Sequence, residues 1–163
     1  MTDEALAFPT ARHDHAACIA EALDRAERLC AERGERLTTL RRQVLELVWS
    51  GHAPQGAYDL LEQLGQARGR VAPPTVYRAL EFLQAQGLIH RIESLNAFIG
   101  CPIPEERHSG QFFICRLCGL AAELDVGAID RAIDREATRL GFTIERRTVE
   151  LQGLCRACRE AQA

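Results

Sequence analysis

The sequence contains no lysine, and all twenty of its basic residues are arginine. Aromatic residues make up only 6% of the chain, and its apolar runs are much shorter than the roughly 20 residues of a membrane-spanning helix. The first residues are acidic and do not lead into the apolar segment of a secretion signal. We therefore expect a cytoplasmic protein with no membrane partner. In that reducing compartment, seven cysteines favour metal binding or redox chemistry over structural disulfides.

The chain also has little net charge, because 23 acidic residues against 20 arginines leave a formal charge of -3. This excludes a uniformly basic nucleic-acid-binding protein but not a local basic face. Arginine suits forked contacts to phosphate or guanine, although an all-arginine set can equally reflect the composition of a genome. With 163 residues, of which 47% are hydrophobic, the chain can form one ordinary domain or two small ones.

The first half of the chain predicts four helices followed by a hairpin. Apolar residues recur with helical spacing over residues 16–33, 40–50, 56–68 and 75–86. Two short strands, residues 88–93 and 97–101, flank a turn. This order is typical of a winged helix-turn-helix, in which the helix before the hairpin enters the major groove of DNA. Tyr77 and Arg78 would lie on the outward face of that helix.

The second half predicts a small α+β domain after a hinge. Residues 102–110 contain two prolines and two glutamates without periodicity, which indicates a joint between domains. Short strands at residues 112–114 and 120–124 follow, then a helix over residues 126–140 with Asp125 as its N-cap, and a strand over residues 142–151. A core of this size is marginal alone, so we expect a metal or a dimer partner to stabilise it.

Two C-x-x-C motifs are the strongest chemical signal in the sequence. Cys115 and Cys118 form the first, and Cys155 and Cys158 form the second. The two-residue spacer lets both sulfurs of a motif bind one ion, and two such motifs complete a tetrahedral four-thiolate zinc site. Four thiolates leave no open coordination position, so this metal would be structural. A thioredoxin-like redox pair is disfavoured, because neither motif opens a helix in a βαβ unit.

A second set of acceptable zinc ligands surrounds the predicted hinge. It consists of His90, Cys101, His108 and Glu123. Taken singly, such side chains are usually just solvated. Taken together, they cluster around the one joint whose geometry would control the position of the DNA-binding helix.

These motifs occur in an order that resembles the ferric uptake regulator family. The resemblance is carried by the two C-x-x-C motifs together with Leu37-Thr38-x-x-Arg41, the segment AYDLL at residues 57–61 and the segment PPTVYRAL at residues 73–80. It extends over nearly the whole chain, and it is strongest to the zinc-responsive branch of the family. The resemblance implies a dimeric repressor that binds operator DNA when zinc is bound, and not an enzyme.

The resemblance also implies a role for each candidate residue. Cys115, Cys118, Cys155 and Cys158 would hold a structural zinc, and His90, Cys101, His108 and Glu123 a regulatory zinc, giving two zinc ions per chain. The DNA contacts would come from Arg41, Tyr58, Thr75, Tyr77 and Arg78. The implied organisation is a flexible segment at residues 1–15, a winged-helix DNA-binding domain at 16–101, a hinge at 102–110, and a dimerisation and structural zinc domain at 111–163.

Two alternatives remain open. The first is an iron- or peroxide-responsive regulator on the same scaffold, which is disfavoured because His108 stands alone where many family members have a pair of histidines. The thiolate of Cys101 also suits zinc better than ferrous or manganous ions. The second is a zinc-thiolate redox protein or enzyme, but the sequence shows no nucleophile beside a general base.

Three further features carry no assigned function. Cys30 lies on the apolar face of the first helix and is best interpreted as a small buried hydrophobe. Cys18 has no evident partner. A third metal site at His13 or His15 is disfavoured, since histidines near a terminus are usually solvated.

Overall fold

The computed structural model describes Phe8, residues 14–105, His108 and residues 110–162. The described helices and strands follow one another in the order α1 (His15–Glu32), α2 (Thr39–Trp49), β1 (Gln55–Gly56), α3 (Ala57–Arg68), α4 (Pro73–Ala85), β2 (Ile89–Ile92), β3 (Ala97–Gly100), β4 (Gly110–Cys115), β5 (Ala121–Leu124), α5 (Gly127–Leu140), β6 (Thr148–Gly153) and α6 (Arg156–Glu160). The chain thus combines helices with two sheets, and the predicted α+β class is confirmed.

Contacts divide the chain into two units, with the boundary between residues 107 and 108. We call residues 14–105 the N-terminal unit, and His108 with residues 110–162 the C-terminal unit. Most of the predicted N-terminal segment, including His13, lies outside the described residues. Within the described ranges, every helix is too short or too polar to cross a lipid bilayer.

A side-chain cap and a pair of prolines mark the starts of α1 and α4 in the N-terminal unit. The Asp14 carboxylate accepts a hydrogen bond from the backbone N–H of Ala17 at 3.1 Å, so α1 begins at His15. Helix α4 begins at Pro73, two residues before the predicted start. Prolines fit the first positions of a helix because the N–H groups there have no partner within the helix.

The core of the N-terminal unit joins the buried faces of α1 to α4 and the wing strands. Its members are apolar side chains of these helices and of the hairpin that follows them: Leu23, Ala26, Leu29, Cys30, Val44, Leu45, Val48, Leu60, Leu64, Val76, Ala79, Leu80, Leu83, Leu88, Ile89 and Phe98. Cys30 is 1% exposed, as predicted for a buried hydrophobe. Burying one face of α4 leaves its opposite face at the surface.

The wing is a three-stranded antiparallel sheet with strand order β1-β3-β2. The hairpin of β2 and β3 was predicted, but β1, a two-residue strand that pairs with Ala97 and Phe98, was not. Asn96 makes the turn before β3 in the left-handed conformation, with φ 48°, which asparagine tolerates better than most residues. The extra strand joins the start of α3 to the wing.

The C-terminal unit is a three-stranded sheet with strand order β5-β4-β6 and α5 in the connection to its last strand. Strand β4 pairs with β5 antiparallel and with β6 parallel. The predicted start of the last strand at residue 142 is wrong: the backbone N–H of Phe142 donates to the Ala137 carbonyl at 2.8 Å and closes the end of α5. The predicted N-cap is also wrong, since Val126 and not Asp125 precedes the helix.

Candidate metal centres and nucleic-acid interface

The cysteines of the two C-x-x-C motifs meet at one edge of the C-terminal sheet. Strands β4 and β6 are parallel, with Cys115 opposite Gly153, so both strands end at the same edge. Cys115 is the last residue of β4, and Cys155 follows β6 by two residues and caps α6. The sulfur atoms of all four cysteines lie within 4.8 Å of one another. The strand pairing therefore brings together two motifs that are 36 residues apart in sequence.

The spacing of these sulfurs fits a tetrahedral zinc ion. The Cys118 and Cys155 sulfurs are 3.8 Å apart. Tetrahedral zinc with bonds of about 2.3 Å to sulfur requires about 3.8 Å between two ligand sulfurs. The first motif is held in a tight turn, because the Gly119 N–H donates to the Cys115 carbonyl at 3.0 Å and Gly119 has φ +74°.

Backbone hydrogen bonds prepare this cluster for a cation. The N–H groups of Cys118 and Cys155 donate to the Cys115 sulfur and lower the pKa of Cys115 to about 6. The pKa of Cys158 is raised to about 12, with a hydrogen bond to Cys155 as the largest cause and burial as the second. One thiol thus ionises readily, while another remains protonated unless a cation stabilises its thiolate. Metal binding at this cluster must therefore release protons and weaken as the pH falls.

His90 and Cys101 form a pair at the end of the wing, within the N-terminal unit. His90 lies in β2 opposite Ile99. Cys101 directly follows β3, and its backbone N–H extends the strand pairing by donating to the Leu88 carbonyl at 3.0 Å. The ligand atoms of His90 and Cys101 lie within 4.8 Å of each other, and Cys101 is 2% exposed. An imidazole and a thiolate at this distance can bind one zinc ion together.

His108 and Glu123 form a second pair, within the C-terminal unit. Glu123 lies in β5 opposite Phe112 of β4. The Nε2 atom of His108 is 2.8 Å from Oε1 of Glu123, and both side chains are almost completely buried. Imidazole nitrogen and carboxylate oxygen are both zinc ligands. Burying two such polar groups costs free energy, which their hydrogen bond to each other offsets.

The predicted DNA-contacting residues of α4 lie on its exposed face. Thr75, Tyr77 and Arg78 are exposed, whereas Val76 and Ala79 are buried in the core. Tyr58, in the first turn of α3, is 77% exposed. Tyr58 and Tyr77 both line a surface cavity of about 280 Å³, which is formed by residues of α3, α4 and the wing. Large side chains exposed on an interaction face suit contacts to sugar, base or phosphate.

Arg41 differs from the other predicted DNA contacts because its guanidinium is engaged within the protein. It stacks on the Phe82 ring, with the guanidinium carbon 3.4 Å from the ring centroid. Its Nη1 atom donates to the Arg36 carbonyl at 2.6 Å. These contacts join α2 to α4 and to the segment before α2, and they favour a role in holding α4 over a direct contact to DNA.

Sequence reasoning missed Arg91, which lies at the edge of the same cavity. Its side chain is exposed, 2.8 Å from Oδ1 of Asn96 and 3.4 Å from Oε2 of Glu93. The signal in the sequence was a pair of polar residues, His90 and Arg91, between the apolar Ile89 and Ile92, both of which are buried. The wing thus presents an arginine beside the exposed face of α4.

Together, these features define a winged-helix DNA-binding protein with candidate metal ligands in both of its units. The model of the family described as "Ferric uptake regulator family" matches residues 32–152. The chain is 39% identical to the zinc uptake regulation protein of Escherichia coli K12 over 144 residues, which are 88% of this chain and 84% of that protein. The chain therefore belongs to the ferric uptake regulator family.

Solved structures give the same result. A zinc uptake regulator complexed with zinc and DNA is similar with a TM-score of 0.85 and 38% identity, covering 88% of this chain and 97% of that one. The structure described as holo XcZur is similar with a TM-score of 0.80 and 42% identity, covering 88% and 99% of the two chains. The family is one of transcription regulators and not of enzymes.

Proposed function

We propose that this chain is a zinc-responsive transcriptional repressor that binds operator DNA as a homodimer when its regulatory zinc is bound. It acts in the cytoplasm and controls genes of zinc uptake and homeostasis. The observation that carries this proposal is the presence of zinc-ligand chemistry in both units of a chain whose α4 presents an exposed face for DNA. The similarity to a zinc uptake regulator complexed with zinc and DNA supports it.

Each chain binds two zinc ions in this proposal. Cys115, Cys118, Cys155 and Cys158 hold the structural ion, and a closed four-thiolate site of this kind stabilises the fold. The regulatory ion is bound by the pair His90 and Cys101 from the N-terminal unit and by the pair His108 and Glu123 from the C-terminal unit. The buried hydrogen bond between His108 and Glu123 and the proximity of Cys101 to His90 support this assignment.

An ion bound by both pairs restricts the hinge, which is how zinc controls DNA binding. A dimer must place two copies of α4 in successive major grooves, which fit at one separation and tilt. If about 1% of the zinc-free protein adopts that arrangement, restricting the hinge tightens DNA binding about a hundredfold, or by about 2.7 kcal/mol. The regulatory zinc does this without contacting DNA.

Apolar side chains exposed on the C-terminal unit support the homodimer. Leu140 and Phe142, at the end of α5, are 70% and 66% exposed. None of the described residues of α5 is buried, although one face of the helix is apolar. A unit of this size gains a complete core by pairing with a second copy.

An iron- or peroxide-responsive regulator fits the ligand chemistry less well. Cys101 offers a thiolate, which favours zinc, and ferrous or manganous ions prefer oxygen and nitrogen ligands. The metal that restores operator binding after chelation distinguishes these alternatives. Restoration by iron or manganese at lower free concentration than zinc contradicts the proposal.

Two serine substitutions test the division into structural and regulatory sites. Cys101→Ser is expected to give a folded chain that retains one zinc after mild chelation but whose operator binding no longer responds to zinc. Cys155→Ser is expected to lose solubility or dimerisation, because the C-terminal unit loses its structural ion. Metal content per chain, sedimentation and a gel shift with operator DNA measure these outcomes. Identical behaviour of the two variants contradicts the division.

A further inference from the structure

The segment that follows Cys101 is fastened to α1 by arginines. The Nη1 atom of Arg25 donates to the carbonyl of Pro102, and Nε of the same side chain lies 3.1 Å from Oε1 of Glu105. Arg28, one helical turn further along α1, lies 3.6 Å from the same carboxylate oxygen. The first part of the predicted hinge is therefore held to the N-terminal unit.

Arg33, at the C-terminal end of α1, makes a second attachment. Its Nη2 atom donates to the Pro104 carbonyl at 3.2 Å, and its Nη1 atom donates to the Gln86 carbonyl at 2.6 Å. Pro104 is itself buried. One guanidinium thus joins three parts of the unit: the end of α1, the end of α4 and the segment after Cys101.

The chemistry of proline explains why arginine makes these contacts. Proline has a carbonyl but no N–H, so Pro102 and Pro104 cannot donate to a neighbouring strand. Each can only accept hydrogen bonds, and arginine offers five donors in a fixed fork. The strand pairing that holds Cys101 from the upstream side ends at the bond between the Cys101 N–H and the Leu88 carbonyl. The arginines continue the restraint on the downstream side.

We infer that Arg25 and Arg33 are positioning residues for the regulatory zinc ligand Cys101. This inference rests on the proposed function, in which Cys101 binds the regulatory ion. A ligand held on both sides loses less conformational freedom when it binds a metal, so the site is preorganised. The paired carboxylate of Glu105 is substantially exposed, so its ion pairs contribute little, and the hydrogen bonds to the two carbonyls carry the effect.

The double variant Arg25→Ala/Arg33→Ala tests this inference. The full-length chain is prepared with its structural zinc, and a second zinc is titrated against a chelating fluorophore. We expect the affinity for the second zinc to fall about tenfold, because ordering the backbone of one residue corresponds to roughly a 5- to 30-fold change in an equilibrium constant. In a parallel titration, cobalt replaces zinc. At equal cobalt occupancy, we expect the thiolate-to-cobalt charge-transfer absorption of the double variant to differ from that of the wild type.

Arg42→Ala is the matched control. Arg42 is bound to Glu27 of α1, through Oε1 at 2.8 Å, and among the described residues its ion pair does not extend to the segment after Cys101. We expect this variant to lower the unfolding temperature less than the double variant does, and to bind the second zinc and cobalt as the wild type does. Arg25→Lys/Arg33→Lys should recover part of the affinity, because lysine can donate to one carbonyl but cannot form the fork.

Three results overturn the inference. The first is a double variant that binds the second zinc as tightly as the wild type, and the second is an equal loss in Arg42→Ala. The third is a tenfold loss of affinity for the second zinc in Glu105→Gln, because this variant leaves the hydrogen bonds to both carbonyls intact. Glu105→Gln is milder than the double variant, so it also provides a test if the double variant does not fold. Failure of the proposed function is separately visible, because the wild type would then bind no second zinc or Cys101→Ser would bind it unchanged.

Discussion

Gly100, the last residue of β3, packs closely against Trp49 of α2. A Cβ atom built at this position would overlap the indole ring of Trp49. Because Gly100 directly precedes Cys101, the contact with Trp49 also fixes where a candidate zinc ligand leaves β3. The glycine is required here for close approach and not for an unusual backbone conformation.

Gly100→Ala is therefore expected to lower the free energy of unfolding by about 1–3 kcal/mol, the usual cost of overpacking a core. Gly65→Ala is its control, since a Cβ at Gly65 has no neighbour within 4 Å and the residue lies inside α3. Replacing a glycine in a helix by alanine should raise stability by up to about 1 kcal/mol. Urea unfolding of both variants measures the difference, and a stable Gly100→Ala protein contradicts this account of the Trp49 contact.

Arg78 is an exposed arginine of α4, the helix that the proposed function places against DNA. If it contacts guanine, Arg78→Ala should cost about 1–3 kcal/mol of operator binding and relax the sequence preference at one position. Fluorescence anisotropy with the operator and with singly substituted operators measures both effects. Arg135→Ala, an exposed residue of α5, controls for the loss of one positive charge. An equal loss of affinity for every DNA sequence would instead identify a phosphate contact.

At the scale of elements, α5 is attached to the rest of the C-terminal unit by polar contacts. Arg147 Nη1 lies 3.1 Å from Oδ1 of Asp130, and its Nη2 atom pairs with Asp134. The buried Gln111 of β4 donates to Asp130 at 3.2 Å. The helix, the strand and the segment before β6 are thus joined through one carboxylate.

Arg147→Ala should lower the free energy of unfolding by about 1.5–3 kcal/mol, the range for hydrogen bonds to charged groups, because Asp130 and Asp134 both lose their contact with the guanidinium. Arg139→Ala removes a surface pair with Glu136 on the same helix and should cost less than about 1 kcal/mol. Thermal unfolding of the zinc-loaded proteins compares the two. Equal effects would mean that the Asp130 contacts contribute no more than a surface ion pair.

The elements that could be predicted from sequence are those with a local signal. The apolar spacing around Leu80 and Leu83 predicted α4, and the spacing of the cysteines predicted a four-sulfur cluster before the sheet that assembles it was known. Strand β1 was missed because two residues carry no periodicity, and its pairing depends on a distant strand. The contacts of Arg25 and Arg33 were missed for the same reason, since their carbonyl partners lie more than fifty residues away in sequence.

In the whole chain, the candidate DNA-binding surface and the candidate structural zinc site lie in different units. The N-terminal unit presents α4 and the wing, and the C-terminal unit holds the four-cysteine cluster. Each unit also contributes one pair of candidate ligands for the proposed regulatory zinc, so binding of that ion would depend on both units. In the proposed function, zinc and DNA act on the same conformational equilibrium, so their affinities are coupled.

This coupling must be reciprocal, which provides a quantitative prediction. If regulatory zinc tightens operator binding about a hundredfold, operator DNA must tighten zinc binding at that site by the same factor, because both describe one thermodynamic cycle. Zinc affinity measured by competition with and without operator DNA, and operator affinity measured with and without the second zinc, give the two factors. Cys101→Ser should reduce both factors to 1. With DNA of unrelated sequence, both factors should be smaller than with the operator but still equal to each other. Two unequal factors for the wild type would show that zinc acts through another process, such as a change in oligomeric state.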